Sequence, residues 1–297
     1  MADQEIASGR IGFVGLGNMG MPMARHLVAA GYDVIGFDAS PAVMRTIADS
    51  GELTAAPALT SVGEDADAVI LSLPDSDVVE HVLLTEGLLT SLTPASIVID
   101  MSSSDPSRTR VLAARAAERG ITLIDAPVSG GVSGALARTL TIMVGGPEQA
   151  FTTVRPMLNA ISPRVLHAGE VGAGHAVKAL NNLMSAAHLI ISSEALIAGR
   201  RFGLDPKVML DIINGSSGRS GSTENKWPNY VLTERYDAGF SIQLMVKDMK
   251  LALGIEHATG TPATVSEAAL AAWEAAAADL PPTADHTAIA RWLDIGQ

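Results

Sequence analysis

Gly15-Leu-Gly17-Asn18-Met19-Gly20 is the densest run of chemically suggestive residues in this 297-residue chain. It follows a short apolar run, Ile11–Val14, and opens a stretch whose apolar residues recur at helical spacing. In a strand–turn–helix unit, a glycine at 15 permits the tight turn, one at 17 lets the backbone approach a pyrophosphate, and one at 20 lets the helix pack close to the strand. The helix N-terminus then offers unpaired N–H groups and a partial positive charge to the phosphates, with Asn18 and Met19 in the same turn counted among the contacts. An acidic residue at the end of the next strand completes the pattern. That residue is Asp38, directly after Val34–Phe37. Its carboxylate suits adenosine ribose hydroxyls and repels a 2′-phosphate, and Ala39-Ser40-Pro41 holds no arginine to bind one. These residues predict a bound dinucleotide, NAD rather than NADP.

Two further stretches stand out, Asp125-Ala-Pro-Val-Ser129-Gly130-Gly131 and Gly172-Ala-Gly-His175-Ala-Val-Lys178-Ala-Leu-Asn-Asn182. Together with the glycine motif, Met21-Pro22-Met23 and the later Leu244-Met-Val-Lys247-Asp248, they resemble the β-hydroxyacid dehydrogenase family. That family includes 3-hydroxyisobutyrate dehydrogenases, tartronate semialdehyde reductases and threonate dehydrogenases. The resemblance spans nearly the whole chain in order, and it specifies the family better than the substrate. It implies hydride transfer between NAD and a small, 3-hydroxyisobutyrate-like β-hydroxy acid, and a homodimer or homotetramer.

The resemblance also implies a role for each matching residue. Lys178 matches the family lysine that exchanges a proton with the substrate oxygen. A lysine does this when burial and neighbouring charge lower its pKa from about 10.4 towards neutrality. Asn182, four residues on, shares a helix face with Lys178 and holds the substrate beside it. Ser129-Gly130-Gly131 matches a substrate-carboxylate loop, where small residues leave backbone N–H groups and one hydroxyl for an oxyanion. Leu73 and Pro74 match a cofactor-lining turn at the end of a strand, and Ser103 stands where the family usually has threonine near the nicotinamide. Lys247 matches a lysine that closes over cofactor and substrate, with Phe240 preceding it in the matching way. Asp248 reads as a structural partner and His175 as a structural residue.

Two departures from the family pattern are visible. Arg138 stands where glycine is common, near enough to the carboxylate loop to bear on substrate charge, and Ser103 drops a methyl group. Gly215-Ser-Ser-Gly-Arg-Ser220 leans towards the 3-hydroxyisobutyrate or threonate type over tartronate semialdehyde. An imine reductase on the same scaffold is a second enzyme reading, but those enzymes usually lack the lysine and favour NADPH, so Lys178 and Asp38 count against it. A non-catalytic cofactor-binding scaffold is a third, and its expected mark, loss of the lysine, is missing.

The elements that must position these residues obey two grammars. Strand-like runs at Ile11–Gly15, Val34–Phe37, Ala68–Leu73, Ser96–Asp100, Thr122–Asp125, Leu140–Val144 and Arg164–His167 alternate with helical spacing such as Met21–Ala30 and Ser107–Arg119. That alternation predicts an α/β, Rossmann-type, doubly wound and mainly parallel sheet. After Gly169 the pattern is helical throughout: Gly174–Arg201, Pro206–Ile213, Ser241–Thr259 and Pro262–Ala278, with Gly215–Gly221 as a loop. The expected organisation is a dinucleotide-binding domain over residues 1–170. An all-α substrate and oligomerisation domain over 171–297 is joined to it by a long helix.

Composition excludes several classes. There is no cysteine, hence no disulfide, thiolate nucleophile or cysteine-ligated metal. The seven histidines show no metal-ligand spacing. A formal charge of −12 argues against nucleic-acid or anionic-membrane partners. Met1–Glu5 lacks a basic, apolar leader pattern, and the apolar stretch from Ala176 to Gly199 is interrupted by Lys178, Asn181, Asn182, His188 and Glu194. The reading is a cytoplasmic enzyme with a small anionic substrate.

Overall fold

The computed structural model describes Ile6 and residues 9–295; Met1–Glu5, where a leader pattern was sought, lies outside the described residues. The chain divides into two compact units, Met1–Lys178 and Ala179–Gln297.

Among the described residues the first unit is built on nine strands: β1 Arg10–Val14, β2 Asp33–Phe37, β3 Thr54–Ala55, β4 Ala68–Leu71, β5 Ile97–Asp100, β6 Thr122–Asp125, β7 Val128–Ser129, β8 Thr141–Gly145 and β9 Arg164–Gly169. Their order is β3-β2-β1-β4-β5-β6-β8-β7, with β9 beside β8. Strands β1 to β6 pair in parallel, whereas β8 runs antiparallel to β6 and β7. The helices are α1 Gly20–Ala29, α2 Pro41–Ser50, α3 Ser76–Glu80, α4 Leu88–Ser91, α5 Pro106–Ala117, α6 Gly131–Ala137 and α7 Glu148–Ile161.

The central strands are apolar at nearly every position because both faces are covered. Alternation sends Ile11, Phe13, Ile70 and Ile99 into one core with Met23 and Leu27 of α1 and Val154 and Leu158 of α7. Val14, Val69, Leu71 and Val98 enter the other, with Leu112 and Ala116 of α5. Each large side chain buried in this way contributes roughly 1.5–3 kcal/mol.

The second unit is helical: α8 Ala173–Arg201 (which begins in the first), α9 Pro206–Asn214, α10 Ile242–Thr259, α11 Thr264–Asp279 and α12 Ile289–Ile295, with a π-helical segment at Ser222–Val231. Its core centres on Trp273, fully buried, whose indole N–H donates to the Ala186 carbonyl at 3.3 Å. Among the described residues no helix is long and apolar enough to cross a membrane.

Differences from expectation are local. The run Ala68–Leu73 ends as a strand at Leu71, because the Leu73 N–H turns to the Ser102 hydroxyl at 3.0 Å and Pro74 has no N–H to give. Strands β3 and β7 are too short to show a period. The helix at Ser222–Val231 is hidden in the sequence by its polar residues and by Pro228.

Candidate active site

The register of the sheet gathers the cofactor candidates. Val14 lies opposite both Phe37 and Leu71, Leu71 opposite Asp100, and Asp100 opposite Asp125. Five parallel strands therefore end in one row, and the segments leaving them all emerge at one sheet edge. That edge carries Gly15–Gly20, Asp38, Leu73 and Pro74, Ser103 and the Asp125–Gly131 stretch. Strand order reverses between β1 and β4, the crevice where ligands of open α/β sheets bind.

The three glycines of the first turn have different reasons. Gly15 has φ +90°, and a Cβ there would lie 2.2 Å from the Ser72 carbonyl oxygen; a Cβ on Gly20 would lie 1.9 Å from the Gly15 carbonyl oxygen. The fold itself demands both. Gly17 is exposed, and a Cβ on it would meet nothing within 4 Å. No packing contact of the fold accounts for it, and a glycine here leaves room for a pyrophosphate to approach the backbone. Helix α1 has neither a side-chain N-cap nor an acidic residue in its first turn, which suits an anion there. Asp38 accepts the Leu16 N–H at 2.8 Å through Oδ2 and the Ser40 N–H at 2.8 Å through Oδ1. Each oxygen keeps a second lone pair for a ribose hydroxyl. These residues fit a dinucleotide.

Lys178, 9% exposed, lies in the second turn of α8. A buried network fixes the start of that helix. The Asp125 carboxylate, at the end of β6, accepts the Gly172 N–H at 2.6 Å and the His175 N–H at 2.7 Å. The His175 ring lies against the Ser102 carbonyl oxygen (Nε2, 3.1 Å) and the Thr109 hydroxyl (Nδ1, 2.9 Å). A carbonyl only accepts, so Nε2 carries a proton. The carboxylates of Asp100 and Asp125 each stand 3.8 Å from the ring. Burial raises the pKa of the Asp125 carboxyl group, opposed by His175 and the two N–H donors. Thus strand ends β5 and β6 set the position of the turn that precedes Lys178.

Ser129 closes β7, and the next two glycines are required by the backbone, with φ +137° at Gly130 and +65° at Gly131. Arg138 caps α6 at φ +59°, in the left-handed region that favours glycine. Its guanidinium reaches the Asn159 carbonyl at 3.3 Å.

In the second unit, the Asn182 amide donates to Asp248 Oδ2 at 2.6 Å, and Lys247 Nζ stands 3.6 Å from Asp248 Oδ1. Asp248 is buried and orients both candidate substrate contacts. Phe240 precedes α10; its N–H donates to Asp285 at 3.1 Å, its carbonyl accepts from the His286 N–H, and its ring meets that of His286 edge-on at 5.9 Å.

Sequence reasoning includes Asp125 in a motif without giving it work, and it passes over Asp100 and Thr109. The available signal is an aspartate closing each of two otherwise apolar strands, Ile97–Asp100 and Thr122–Asp125. A charge there needs partners that only the fold supplies.

Comparison with known proteins identifies the family. Residues 10–169 match the family model described as the NAD binding domain of 6-phosphogluconate dehydrogenase. Residues 172–293 match the one described as NAD-binding of NADP-dependent 3-hydroxyisobutyrate dehydrogenase. The chain is 41% identical to 2-(hydroxymethyl)glutarate dehydrogenase of Eubacterium barkeri, over 82% of this chain and 81% of that protein. It is 40% identical to the mitochondrial 3-hydroxyisobutyrate dehydrogenase of Rattus norvegicus, over 85% and 77%. The structure of the Mycobacterium tuberculosis 3-hydroxyisobutyrate dehydrogenase with L-serine superposes with a TM-score of 0.90 at 34% identity, covering 96% of this chain and 99% of that one. The family models and full-length relatives show that the chain belongs to the β-hydroxyacid dehydrogenase family, enzymes that transfer a hydride between NAD and a small hydroxy acid.

Proposed function

We propose that this protein oxidises a small β-hydroxy acid of the 3-hydroxyisobutyrate type, with Lys178 as the general acid–base and a preference for NAD over NADP. The observation that carries the reading is the anchoring of the Lys178 helix, through Asp125 and His175, to the sheet edge that bears the glycine turn and Asp38. Residues 1–170 serve as the dinucleotide domain and 171–297 as the substrate and oligomerisation domain.

The nicotinamide supplies the hydride acceptor; the remaining chemistry belongs to the chain. Gly15–Gly20 and the α1 N-terminus hold the pyrophosphate, Asp38 the adenosine ribose, and Leu73, Pro74, Ser103 and Phe240 line the cofactor. The backbone and hydroxyl of Ser129-Gly130-Gly131 bind the substrate carboxylate. Asn182, oriented by Asp248, holds the substrate, Lys247 closes over it, and Lys178 takes the hydroxyl proton as hydride leaves.

A screen of three- to five-carbon hydroxy acids, with NADH absorbance as the signal, tests the reading. Wild type is expected to give a higher kcat/KM with NAD than with NADP, and Asp38→Asn to narrow that ratio. Equal use of both cofactors by wild type removes the argument from Asp38, and no turnover of any hydroxy acid removes the reading.

We also propose a cytoplasmic homo-oligomer. Val177, Met184 and Ile191, spaced seven apart on α8, are exposed, as are Phe202 and Ile212, and an apolar stripe of this kind suits a second copy of the chain. A monomeric mass by light scattering, or a membrane-bound pool on cell fractionation, contradicts the corresponding half of this proposal.

A further inference from the structure

Lys226, in the π-helical segment, has no part in the chemistry assigned so far. Its ammonium donates to the Ser185 hydroxyl at 2.8 Å. Ser185 lies three residues beyond Asn182 on α8, about 4.5 Å further along the axis, and on an adjoining part of the same face. It also lines a cavity of about 190 Å³ with Asn181, Met184, His188, Gly221 and Ser222. A cation is thus hydrogen-bonded to a residue that lines open space and that lies one helical turn from the asparagine proposed to hold the substrate.

The charge on Lys226 is poorly compensated. Among the described residues no carboxylate lies within ion-pair distance of it, and its direct partner is a neutral hydroxyl. Asp285 acts on it beyond ion-pair distance, and that carboxylate also accepts the N–H groups of Gly239 at 2.8 Å, Phe240 at 3.1 Å and Thr287 at 2.9 Å. Burial has pushed the Lys226 pKa down to about 8. An ammonium in such surroundings gains most from an anion that arrives with a ligand, since a charge-assisted bond there replaces little existing compensation.

We propose that Lys226 binds a second anionic group of the substrate, a carboxylate at the far end from the reacting carbinol, so that the preferred substrate is a hydroxy dicarboxylic acid. The inference rests on the dehydrogenase reading and on Asn182 as a substrate contact. One relative, 41% identical, is named a 2-(hydroxymethyl)glutarate dehydrogenase, for a dianion of this kind.

The test compares 2-(hydroxymethyl)glutarate with 3-hydroxyisobutyrate, a dianion against a monoanion, on wild type, Lys226→Met and Lys226→Gln. Wild type is expected to favour the dianion. Loss of the charge should lower kcat/KM for the dianion by about 10- to 100-fold, mainly through KM. For the monoanion it should change by less than about threefold, as expected when no contact to the substrate is lost. Lys226→Gln, which retains a donor for Ser185, separates charge from folding if the methionine variant is unstable.

Calorimetric titration of the unreacting pair glutarate and butyrate reads the subsite without turnover. Tighter glutarate binding that disappears in both variants supports the proposal. Equal affinities in wild type, or equal losses for mono- and dianion in the variants, overturn it. If no hydroxy acid is oxidised but glutarate selectivity depends on Lys226, the dehydrogenase reading fails and the anion subsite stands.

Discussion

Replacing Lys178 by methionine is expected to lower kcat by about 10²- to 10⁴-fold, the usual contribution of a positioned general acid–base. Methionine keeps much of the aliphatic volume at a site that is only 9% exposed, so the fold should persist. NAD affinity should barely change, since the proposed dinucleotide contacts lie on the glycine turn and Asp38. The pH profile discriminates further. In the oxidation direction only the neutral amine accepts the hydroxyl proton, so wild-type kcat/KM should fall on the acid side. That limb should vanish from the residual activity of the variant. Steady-state kinetics and NAD titration check both points, and a wild-type kcat in Lys178→Met defeats the mechanism whatever the family relationship.

The second large effect is expected at Asp125, which touches no substrate in this reading. Asp125→Ala leaves the buried N–H groups of Gly172 and His175 without their acceptor, at about 1–3 kcal/mol each, so stability should fall by about 2–5 kcal/mol. Gly145 and Gly174 add to the loss, because the carboxylate packs where their Cβ atoms would be and alanine leaves a void. Lys178 stands one turn beyond His175. Displacement by about 1 Å can cost about 10²-fold, so kcat should fall by that order while NAD affinity holds. Denaturant unfolding together with kcat tests this. Unchanged stability with an unchanged kcat means the network does not position the lysine.

The sequence makes legible what local periodicity and motif spacing encode. The alternation of apolar strands with helical segments yields the parallel sheet, because strands covered on both faces must be apolar throughout. Asp38 is visible because it comes directly after a strand. Its bond from the Leu16 N–H is not, since that partner lies 22 residues away on another strand's turn, whereas the bond from Ser40, two residues on, is local. Long-range polar pairs escape for the same reason: His175 meets Thr109 and the Ser102 carbonyl across 66 and 73 residues. Arg138 is legible as a departure from the family, but its left-handed backbone is not. Lys226 draws no notice because nothing in a polar run reveals that its partner will be a hydroxyl on another helix.

The double duty of Asp38 has a consequence for descent. The carboxylate that would discriminate against a 2′-phosphate also ties the Leu16 and Ser40 N–H groups, and so holds the β1–α1 turn to the end of β2. A lineage moving towards NADP by exchanging this residue for one without an acceptor, such as alanine, loosens the proposed phosphate-binding turn in the same step. Asparagine or serine at this position still offers an oxygen to the Leu16 N–H, so the architecture tolerates loss of the charge better than loss of the acceptor.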